Sequence, residues 1–321
     1  MHQKGHETAR SQRRIARKPR RRRGSRGRTI ASRAPSGALL LDKPPGITSA
    51  GAVAVVKRLL PRKTRIGHTG TLDPLASGLL VLVIGGATRL SRYVTDLDKS
   101  YATTARFGAI SDTLDAEGNI SPLDAPMPDE EDLRAALERF TGEILQTPPM
   151  TSAVKIGGER LYKAHRRGET VERESRPVKV HSFTLTNLDA ASQTVAFEVS
   201  CSSGTYVRTL VADLAASLGT GAYLTALRRA SVGHLTLEHV TNLGDLTEGT
   251  LNNHIIQASE VVVHLPALTV TQKVRRDVCS GRSLPKAGIE GPYRVMSGDD
   301  LLAIYRDSGD EARPEAVLCA E

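Results

Sequence analysis

Apolar and polar residues alternate along this chain in patterns that predict strands and helices in an irregular order. Uninterrupted apolar runs at residues 38–42 and 79–85 predict buried strands. The alternation at residues 101–107 predicts a third strand. Residues 177–188 and 194–201 are typical of neighbouring antiparallel strands.

Three helices carry end signals in the sequence. Thr48 or Ser49 can cap a helix that runs to Leu60. Asp129 can cap a second, amphipathic helix, and a third is expected at residues 205–218. Because helices and strands follow no regular βαβ alternation, the expected fold class is α+β with a largely antiparallel mixed sheet.

The pattern divides the chain into three parts. Residues 1–36 have too few apolar side chains to fold alone and are expected to be a disordered basic tail. Residues 37–250 hold the predicted sheet and its helices. From about Pro266, short apolar segments separated by glycines predict a small β-rich domain, to which we assign residues 264–321.

Positive charge is concentrated at the N-terminus. Residues 1–36 contain 13 Lys or Arg and one acid, whereas the other 285 residues contain 31 basic and 34 acidic side chains. Any nucleic-acid footprint on the folded part must therefore be a local patch. The tail itself can be an RNA-attracting arm, a solubilising tail or an organellar transit peptide, although it has no clear apolar face.

Composition narrows the class of protein further. No apolar run is long enough to span a membrane. The three cysteines, Cys201, Cys279 and Cys319, are far apart in sequence and are expected to form neither a metal-ligand pair nor a disulfide. This suits a reducing compartment, and we expect a cytoplasmic protein.

The segment Gly67–Leu80, GHTGTLDPLASGLL, contains the most informative chemistry. It places the carboxylate of Asp73 among small residues, which let a large partner approach the backbone. Such an acid can be a nucleophile, a general base or a helix N-cap. Local chemistry favours the N-cap, because Asp73 and Pro74 make a natural start for a short helix and a catalytic acid also needs a partner and a pocket.

The same segment resembles the catalytic-aspartate motif of the TruB family of tRNA pseudouridine synthases. The resemblance continues, in the family's order, through blocks that span roughly residues 37–235. These blocks are LLLDKPPGITS, DKSYATTARFGAISDTLDAEG, PPMTSAVKIGGERLYKAHRRG, CSSGTYVRTLVADLAASLG and LRRASVG. Several ordered blocks with compatible spacing are more specific than one short match.

The resemblance implies a pseudouridine-synthase fold with a C-terminal PUA-type RNA-binding domain. It also implies a reaction, the isomerisation of uridine to pseudouridine in the T loop, at position 55, of tRNA. The target base must leave its stack before reaction. The chemistry requires no redox change and no group donor, so we expect no cofactor and no metal. We expect a monomer that binds the tRNA T arm and no membrane.

The resemblance assigns catalytic roles to three residues. Asp73 is the implied nucleophile, and Tyr101 is expected against the target base. Arg208 is expected beside Asp73, where it would lower the pKa of that carboxyl. Its place in the first turn of the 205–218 helix supports this, because the helix dipole disfavours a cation there and a carboxylate would relieve the cost. Without the resemblance, Tyr101 would be a core aromatic residue and Arg208 a surface charge.

Seven further residues are implied to bind the substrate. His68 is expected to fill the space left by the flipped base, and Asp115 has the least defined role, since it can also be simple turn chemistry. An RNA-gripping insertion is expected at about residues 146–168, although an exposed charged loop is the commoner fate of such a segment. The seven residues are His68, Lys43, Tyr206, Asp115, Lys163, Arg166 and Arg167.

The chain departs from the family pattern at one position, and two other functions stay open. Ser203 stands where relatives commonly carry a lysine, so one phosphate contact can be missing. A non-catalytic RNA-binding or tRNA-folding protein could use the same surface, and a synthase of this fold could act on another RNA. The joint presence of Asp73, Tyr101 and Arg208 favours the enzyme.

Overall fold

The computed structural model describes residue 2 and residues 35–319. The basic tail therefore lies outside the described residues except for His2, Pro35 and Ser36. The part of the chain from residue 35 onwards belongs to one compact unit, which holds two β-sheets.

Fifteen strands belong to the large sheet or to two small hairpins beside it. They are β1 (Gly37–Lys43), β2 (Ile66–His68), β3 (Ser77–Ile84), β4 (Lys99–Phe107), β5 (Ala109–Ser111), β6 (Ile120–Pro122), β7 (Gly142–Gln146), β8 (Lys155–Ile156), β9 (Glu159–Arg160), β10 (Arg176–Asp189), β11 (Thr194–Cys201), β12 (Ala222–Val232), β13 (Leu235–Thr236), β14 (Thr241–Asn242) and β15 (Ile255–Ile256).

Seven α-helices lie in the described residues, and five further strands form the C-terminal sheet. The helices are α1 (Ser49–Leu59), α2 (Ser91–Thr95), α3 (Glu130–Arg139), α4 (Leu161–Arg166), α5 (Val207–Ser217), α6 (Ala258–Val261) and α7 (Gln272–Cys279). The strands are β16 (Ala267–Thr269), β17 (Leu284–Pro285), β18 (Pro292–Ser297), β19 (Asp300–Ser308) and β20 (Glu311–Val317). Short 3₁₀ turns cover Gly85–Leu90, Leu237–His239, Leu243–Asp245 and Leu251–His254.

The large sheet is mixed and mostly antiparallel, as predicted. Its order is β14-β1-β3-β12-β4-β11-β10-β7, and only the pairs β1–β14 and β3–β12 are parallel. β3 and β12 meet at Gly78, which has φ +96°. A Cβ there would lie 2.3 Å from the backbone oxygen of Arg229, so the close approach requires glycine. The α+β fold class is confirmed.

Helices cover one face of this sheet, and both faces of β1 and β3 are buried, which explains why these two strands are almost entirely apolar. α1, α3 and α5 pack their buried side chains against alternate residues of β1, β3, β4 and β11. The remaining side chains of β1 and β3 enter a second core with residues such as Val94 and Val261. The predicted N-caps of two helices are confirmed. Thr48 caps α1 and Asp129 caps α3, each through a side-chain hydrogen bond.

The C-terminal sheet has the order β16-β18-β19-β20-β17. Two expectations for this part were wrong. The segment after β16 forms helix α7 instead of continuing in strands, because Val274 and Val278 lie one turn apart and both face the core. Cys279 and Cys319, expected to stay unpaired, form a disulfide with a Cα–Cα distance of 5.4 Å. The packing of α7 against β20 brings together two cysteines that are 40 positions apart.

A small apolar core joins the 3₁₀ turn and helix α2, which follow β3, to the C-terminal sheet. Leu90 and Tyr93 pack with Ile304 and Ala316, which belong to β19 and β20. Glu315 of β20 accepts a hydrogen bond of 2.6 Å from the Tyr93 hydroxyl. The same carboxylate also pairs with Arg92 and with Arg306. Separately, none of the helices described for this chain is long and apolar enough to cross a membrane.

Candidate active site

Asp73 lies in the loop that leads into β3, and several contacts fix this loop. The hydroxyl of Ser49 donates to the Leu72 carbonyl at 2.9 Å and accepts from the Leu72 amide at 2.8 Å. The Gly46 amide donates to the Pro74 carbonyl at 2.8 Å. No helix follows, so the N-cap interpretation of Asp73 and Pro74 was wrong. The loop holds the Asp73 carboxylate where a third of its side chain stays exposed.

Lys43 supports the same loop from below. Its side chain is fully buried, and its ammonium donates to the carbonyls of Pro44 (2.9 Å), Ile47 (2.7 Å) and Pro74 (3.3 Å). Burial lowers the pKa of Lys43 to about 8, a shift that the negative charges of Glu117 and Asp73 oppose. Lys43 therefore fixes the residue next to Asp73 and adds a positive charge beneath it.

Arg208 is the partner of Asp73. Its Nε lies 3.0 Å from Asp73 Oδ2, and its Nη1 lies 3.2 Å from Asp115 Oδ2. Only 4% of the Arg208 side chain is exposed. Nη1 also donates to the Thr113 carbonyl (2.6 Å) and the Thr151 hydroxyl (2.7 Å). The cation in the first turn of α5 thus has the carboxylate partner that its unfavourable place in the helix dipole predicted.

Asp115 comes to Arg208 through a tight turn after β5. The turn is fixed to β12, where the Ala116 amide donates to the Leu224 carbonyl at 2.8 Å. Leu114 has φ +64°, a strained conformation for a branched side chain. Asp115 Oδ1 accepts from the Thr113 hydroxyl at 2.6 Å and from the Glu117 amide at 3.1 Å. The least defined of the predicted residues is thus the second carboxylate of Arg208.

The pKa of Asp73 is raised above its ordinary value, contrary to expectation. Burial is the largest cause, and it outweighs the lowering effect of the Arg208 charge. Asp115 raises the pKa further because it is a like charge that shares the same guanidinium. The ionised form of Asp73 is therefore a more basic carboxylate than one in water.

A cavity of about 250 Å³ opens beside Asp73 and contains the other predicted catalytic residue, Tyr101. Burial raises the pKa of Tyr101, while the charge of Arg229 and a hydrogen bond to it act in the opposite direction. Tyr206 lines the same cavity and is fixed by Gln146, whose amide exchanges two hydrogen bonds with the Tyr206 backbone at 2.7 and 3.1 Å. An aromatic ring, a carboxylate and a guanidinium thus share one small cavity.

A larger cavity of about 640 Å³ extends from Asp73 to the insertion. His68 lines it, and burial, followed by the charge of Arg229, lowers the pKa of that imidazole. From the insertion, Arg160, Tyr162 and Arg166 line the same cavity. The charged segment between β7 and β10 therefore faces the candidate nucleophile.

The three predicted basic residues of the insertion have different surroundings. Arg166 lines the large cavity, and its guanidinium lies over the Tyr162 ring at 5.5 Å. Lys163 lies in a neighbouring surface depression with Arg160. Arg167 does not line the large cavity, because Glu159 (2.7 Å) and Glu169 (2.8 Å) bind its guanidinium. Arg167 therefore links two parts of the same segment, residues 159 and 169, by ion pairs.

Sequence reasoning missed several residues of this site. Thr151 and Arg229 were not singled out, although both lie in blocks that carried the resemblance, and neither were Arg160 and Tyr162. Arg229 was hidden because two arginines stand side by side in LRRASVG, and only the strand geometry shows which one turns inward. Among residues 35–319, no group of three or more His, Cys, Asp or Glu side chains is arranged to hold a metal ion.

Comparison with known proteins identifies the family. Residues 57–207 match the N-terminal domain model of the TruB family pseudouridylate synthases, and residues 208–265 match the C-terminal domain model of tRNA pseudouridylate synthase B. The chain belongs to the TruB family of pseudouridylate synthases.

Individual TruB relatives extend the match to nearly the whole chain. The tRNA pseudouridine synthase B of Burkholderia mallei (strain NCTC 10247) is 43% identical over 303 residues, which cover 90% of this chain and 99% of the relative. That of Cupriavidus metallidurans is 41% identical and covers 88% and 94%. Among solved structures, a Cbf5-Nop10-Gar1 complex contains a chain with a TM-score of 0.67 and 26% identity, covering 88% of this chain and 85% of that one.

Proposed function

We propose that this TruB-family protein isomerises the uridine at position 55, in the T loop of tRNA, to pseudouridine, with Asp73 as the nucleophile. One observation carries the proposal: the Asp73 carboxylate is paired with the buried Arg208 and opens into a small cavity that also contains Tyr101. Relatives named tRNA pseudouridine synthase B support tRNA as the substrate.

In this proposal the target nucleotide leaves the RNA stack and enters the small cavity, at a cost of a few kcal/mol. Asp73 attacks C1′ of the ribose, and the bond from C1′ to N1 breaks with its electron pair on the base. The base turns within the cavity, and C5 attacks C1′ as the bond from C1′ to the Asp73 oxygen breaks, which frees the carboxylate. The C5 proton then leaves and N1 gains a proton. Tyr101 and Tyr206 supply aromatic surface for the base.

Arg208 fixes the direction of attack. Because its Nε binds one oxygen of Asp73 and its Nη1 binds Asp115, the carboxylate of Asp73 is oriented before substrate arrives. The Arg208 cation also opposes the rise in the Asp73 pKa that burial causes, which favours the ionised, nucleophilic form of the carboxylate. His68 occupies the larger cavity, where it takes the space left by the flipped base.

RNA binding is assigned to three other parts of the chain. Arg160, Tyr162, Lys163 and Arg166 of the insertion contact the RNA around the target, and the PUA-type unit at residues 264–321 contacts it elsewhere. The basic tail adds contacts to phosphates that do not depend on RNA sequence. The enzyme works as a cytoplasmic monomer on the T arm.

The test is to incubate the protein with an unmodified tRNA transcript and to map pseudouridine along the product. We expect one new pseudouridine, in the T loop. A matched transcript with cytidine at that position should gain none. Pseudouridine at another position would keep the reaction but refute the site, whereas its absence from every uridine would refute the proposed activity.

A mixed set of other RNAs tests the remaining alternatives. A synthase for another substrate would modify one of those RNAs faster than tRNA. A protein that only binds or folds RNA would leave all of them unmodified while raising the folded fraction of the tRNA.

A further inference from the structure

Arg229 is a buried cation at the base pocket that the proposed mechanism does not yet use. It belongs to β12, and only 2% of the residue is exposed. Its Nε donates to the Leu79 carbonyl of β3 at 2.8 Å, and its Nη2 donates to the Gly70 carbonyl at 3.2 Å. Gly70 lies three residues before Asp73, so Arg229 ties the sheet to the loop of the nucleophile.

The guanidinium of Arg229 has no acidic partner. Over residues 35–319, no carboxylate oxygen lies within 4.0 Å of it, whereas Arg208 has two carboxylate partners and Arg228 pairs with Asp42. A buried charge without an ionic partner is costly, so its presence here calls for an explanation. The Arg229 charge faces the small cavity, together with Lys99 and Tyr101.

The reaction supplies an anion at this place. When the bond between N1 and C1′ breaks, its electron pair stays on the base, and the uracil carries one negative charge spread over N1, O2 and O4. A fixed cation in a pocket with little water stabilises such a charge strongly, and it needs no reorganisation as the charge develops.

We propose that Arg229 is a positioning residue, which holds Tyr101 and the Gly70 turn at the base pocket and provides the positive field in which the uracil anion forms. The inference rests on the proposed isomerisation. The later steps consume the anion. C5 bonds to C1′ and displaces the Asp73 carboxylate, C5 loses its proton and N1 is protonated, so no other reactant is required.

The electrostatics around Tyr101 agree with this role. Arg229 acts on the Tyr101 hydroxyl through its charge and a hydrogen bond, which oppose the effect of burial on the Tyr101 pKa. Lys99 adds a second cation, and burial, followed by Arg229, lowers the pKa of Lys99 to about 8. Asp73 is the acid that faces Tyr101 from the other wall of the cavity.

The neighbouring residue provides a matched control. Arg228 precedes Arg229 on the same strand, and successive side chains point to opposite faces. Arg228 binds Asp42 through two hydrogen bonds of 3.0 and 2.7 Å and lines a separate cavity on the other side of the sheet. Arg228→Met therefore removes one arginine from β12 without changing the base pocket.

The experiment compares Arg229→Met, Arg229→Lys and Arg228→Met with the wild-type enzyme on unmodified tRNA. We expect Arg229→Met to lower kcat by about 10²- to 10³-fold with KM and tRNA affinity changed by less than about threefold. Arg229→Lys should recover part of the rate because it keeps the charge. Arg228→Met should stay within about threefold of wild type.

A second substrate separates a field effect from lost positioning alone. In tRNA with 5-fluorouridine at the target, the departing base forms a more stable anion, so it depends less on Arg229. We expect the rate loss of Arg229→Met, measured as single-turnover consumption of the target nucleoside, to shrink by at least about threefold with this substrate. Equal losses on both substrates would overturn the role of the charge.

Other outcomes are equally decisive. An unchanged kcat in Arg229→Met would refute the inference while leaving the proposed function intact, whereas a wild-type enzyme that forms no pseudouridine would refute the function itself. If thermal melting shows that Arg229→Met is unfolded, Arg229→Lys decides. A folded Arg229→Lys enzyme that loses about as much rate on both substrates as Asp73→Asn would refute the inference.

Discussion

The catalytic pocket and the insertion hold their charges in opposite ways. In the pocket, the nearly buried Arg208 binds Asp73, Asp115, Thr113 and Thr151, which come from separate parts of the chain. In the insertion, Arg167 binds Glu159 and Glu169, which are near in sequence, and all three side chains are about half exposed.

This difference separates two tasks. Charges that direct bond breaking act more strongly when they are fixed in a site with little water. In such a site, removing one charged partner leaves the other as an uncompensated buried charge. In the insertion, the ion pairs of Arg167 hold the segment together, while Lys163 and Arg166 stay exposed. Cations that bind a large polyanion gain from exposure, because each contact must form and break as RNA enters and leaves. Thr151 connects the two regions, since it lies at the base of the insertion and binds Arg208.

The largest expected effect tests the pocket side of this comparison. Asp73→Asn should abolish pseudouridine formation, a loss of roughly four orders of magnitude or more, because an amide is no nucleophile. The amide keeps the size of the side chain, so melting temperature and tRNA affinity should stay close to wild type. Substantial residual turnover would remove Asp73 from its assigned role.

The next effect concerns the fixed geometry around Arg208. Arg208→Lys keeps the charge but loses the planar fork that reaches Asp73, Asp115 and Thr151 together. We expect kcat to fall by about 10²- to 10³-fold, with a smaller change in tRNA affinity. Steady-state kinetics and tRNA titration measure both. A lysine variant with wild-type kcat would show that charge alone suffices.

The pH dependence should report the buried setting of Asp73. Asp73 must be ionised to attack, so the rate falls as the pH decreases through its pKa, and the raised pKa places this fall at a higher pH than for an ordinary aspartate. Asp115→Asn removes a neighbouring negative charge that raises the Asp73 pKa, so the acid limb should move to lower pH. Single-turnover rates across a pH series measure the acid limb of the wild-type enzyme and that of Asp115→Asn. A limb that stays in place would contradict the coupling.

The smallest effect should come from the insertion. Arg167→Met breaks two exposed ion pairs and should raise KM about two- to fivefold with kcat unchanged. Arg134→Met is the control, because Arg134 forms a similar exposed pair with Glu130 outside the insertion. If Arg167→Met lowered kcat as Arg208→Lys does, the two regions would not be functionally separate.

Periodicity and end signals were sufficient for most of the sheet and its helices. The run 79–85 and the cap at Thr48 needed only local information, because burial and capping depend on neighbouring residues. Helix α7 was missed because the apolar alternation before it continued into a segment whose only helical signal is Val274 with Val278. The disulfide was missed because Cys279 and Cys319 are 40 positions apart and meet only through the packing of α7 against β20.

The sequence predicted which residues form the site, but it did not predict their burial or the direction of their pKa shifts. Asp73 and Arg208 meet as the resemblance implies, whereas the contact of Asp115 with Arg208 was not predicted. The direction of the Asp73 pKa shift was wrong because burial depends on the whole fold, and it exceeds the effect of the one cation that the sequence revealed. The assignments of His68, Lys43, Tyr206, Lys163, Arg166 and Arg167 as substrate-binding residues stay predictions.

The packing of helix α2 against the C-terminal sheet has a consequence for the distance between that sheet and the active site. Tyr93 of α2 donates a hydrogen bond of 2.6 Å to Glu315 of β20, and the apolar core that contains Tyr93, Ile304 and Ala316 lies beside it. The C-terminal sheet therefore cannot turn freely, and the span from it to Asp73 is a fixed distance. An RNA that touches both places must hold its target uridine at that distance from its second contact. The enzyme would then select its RNA substrate by the length of a stem as well as by the nucleotide sequence of the loop.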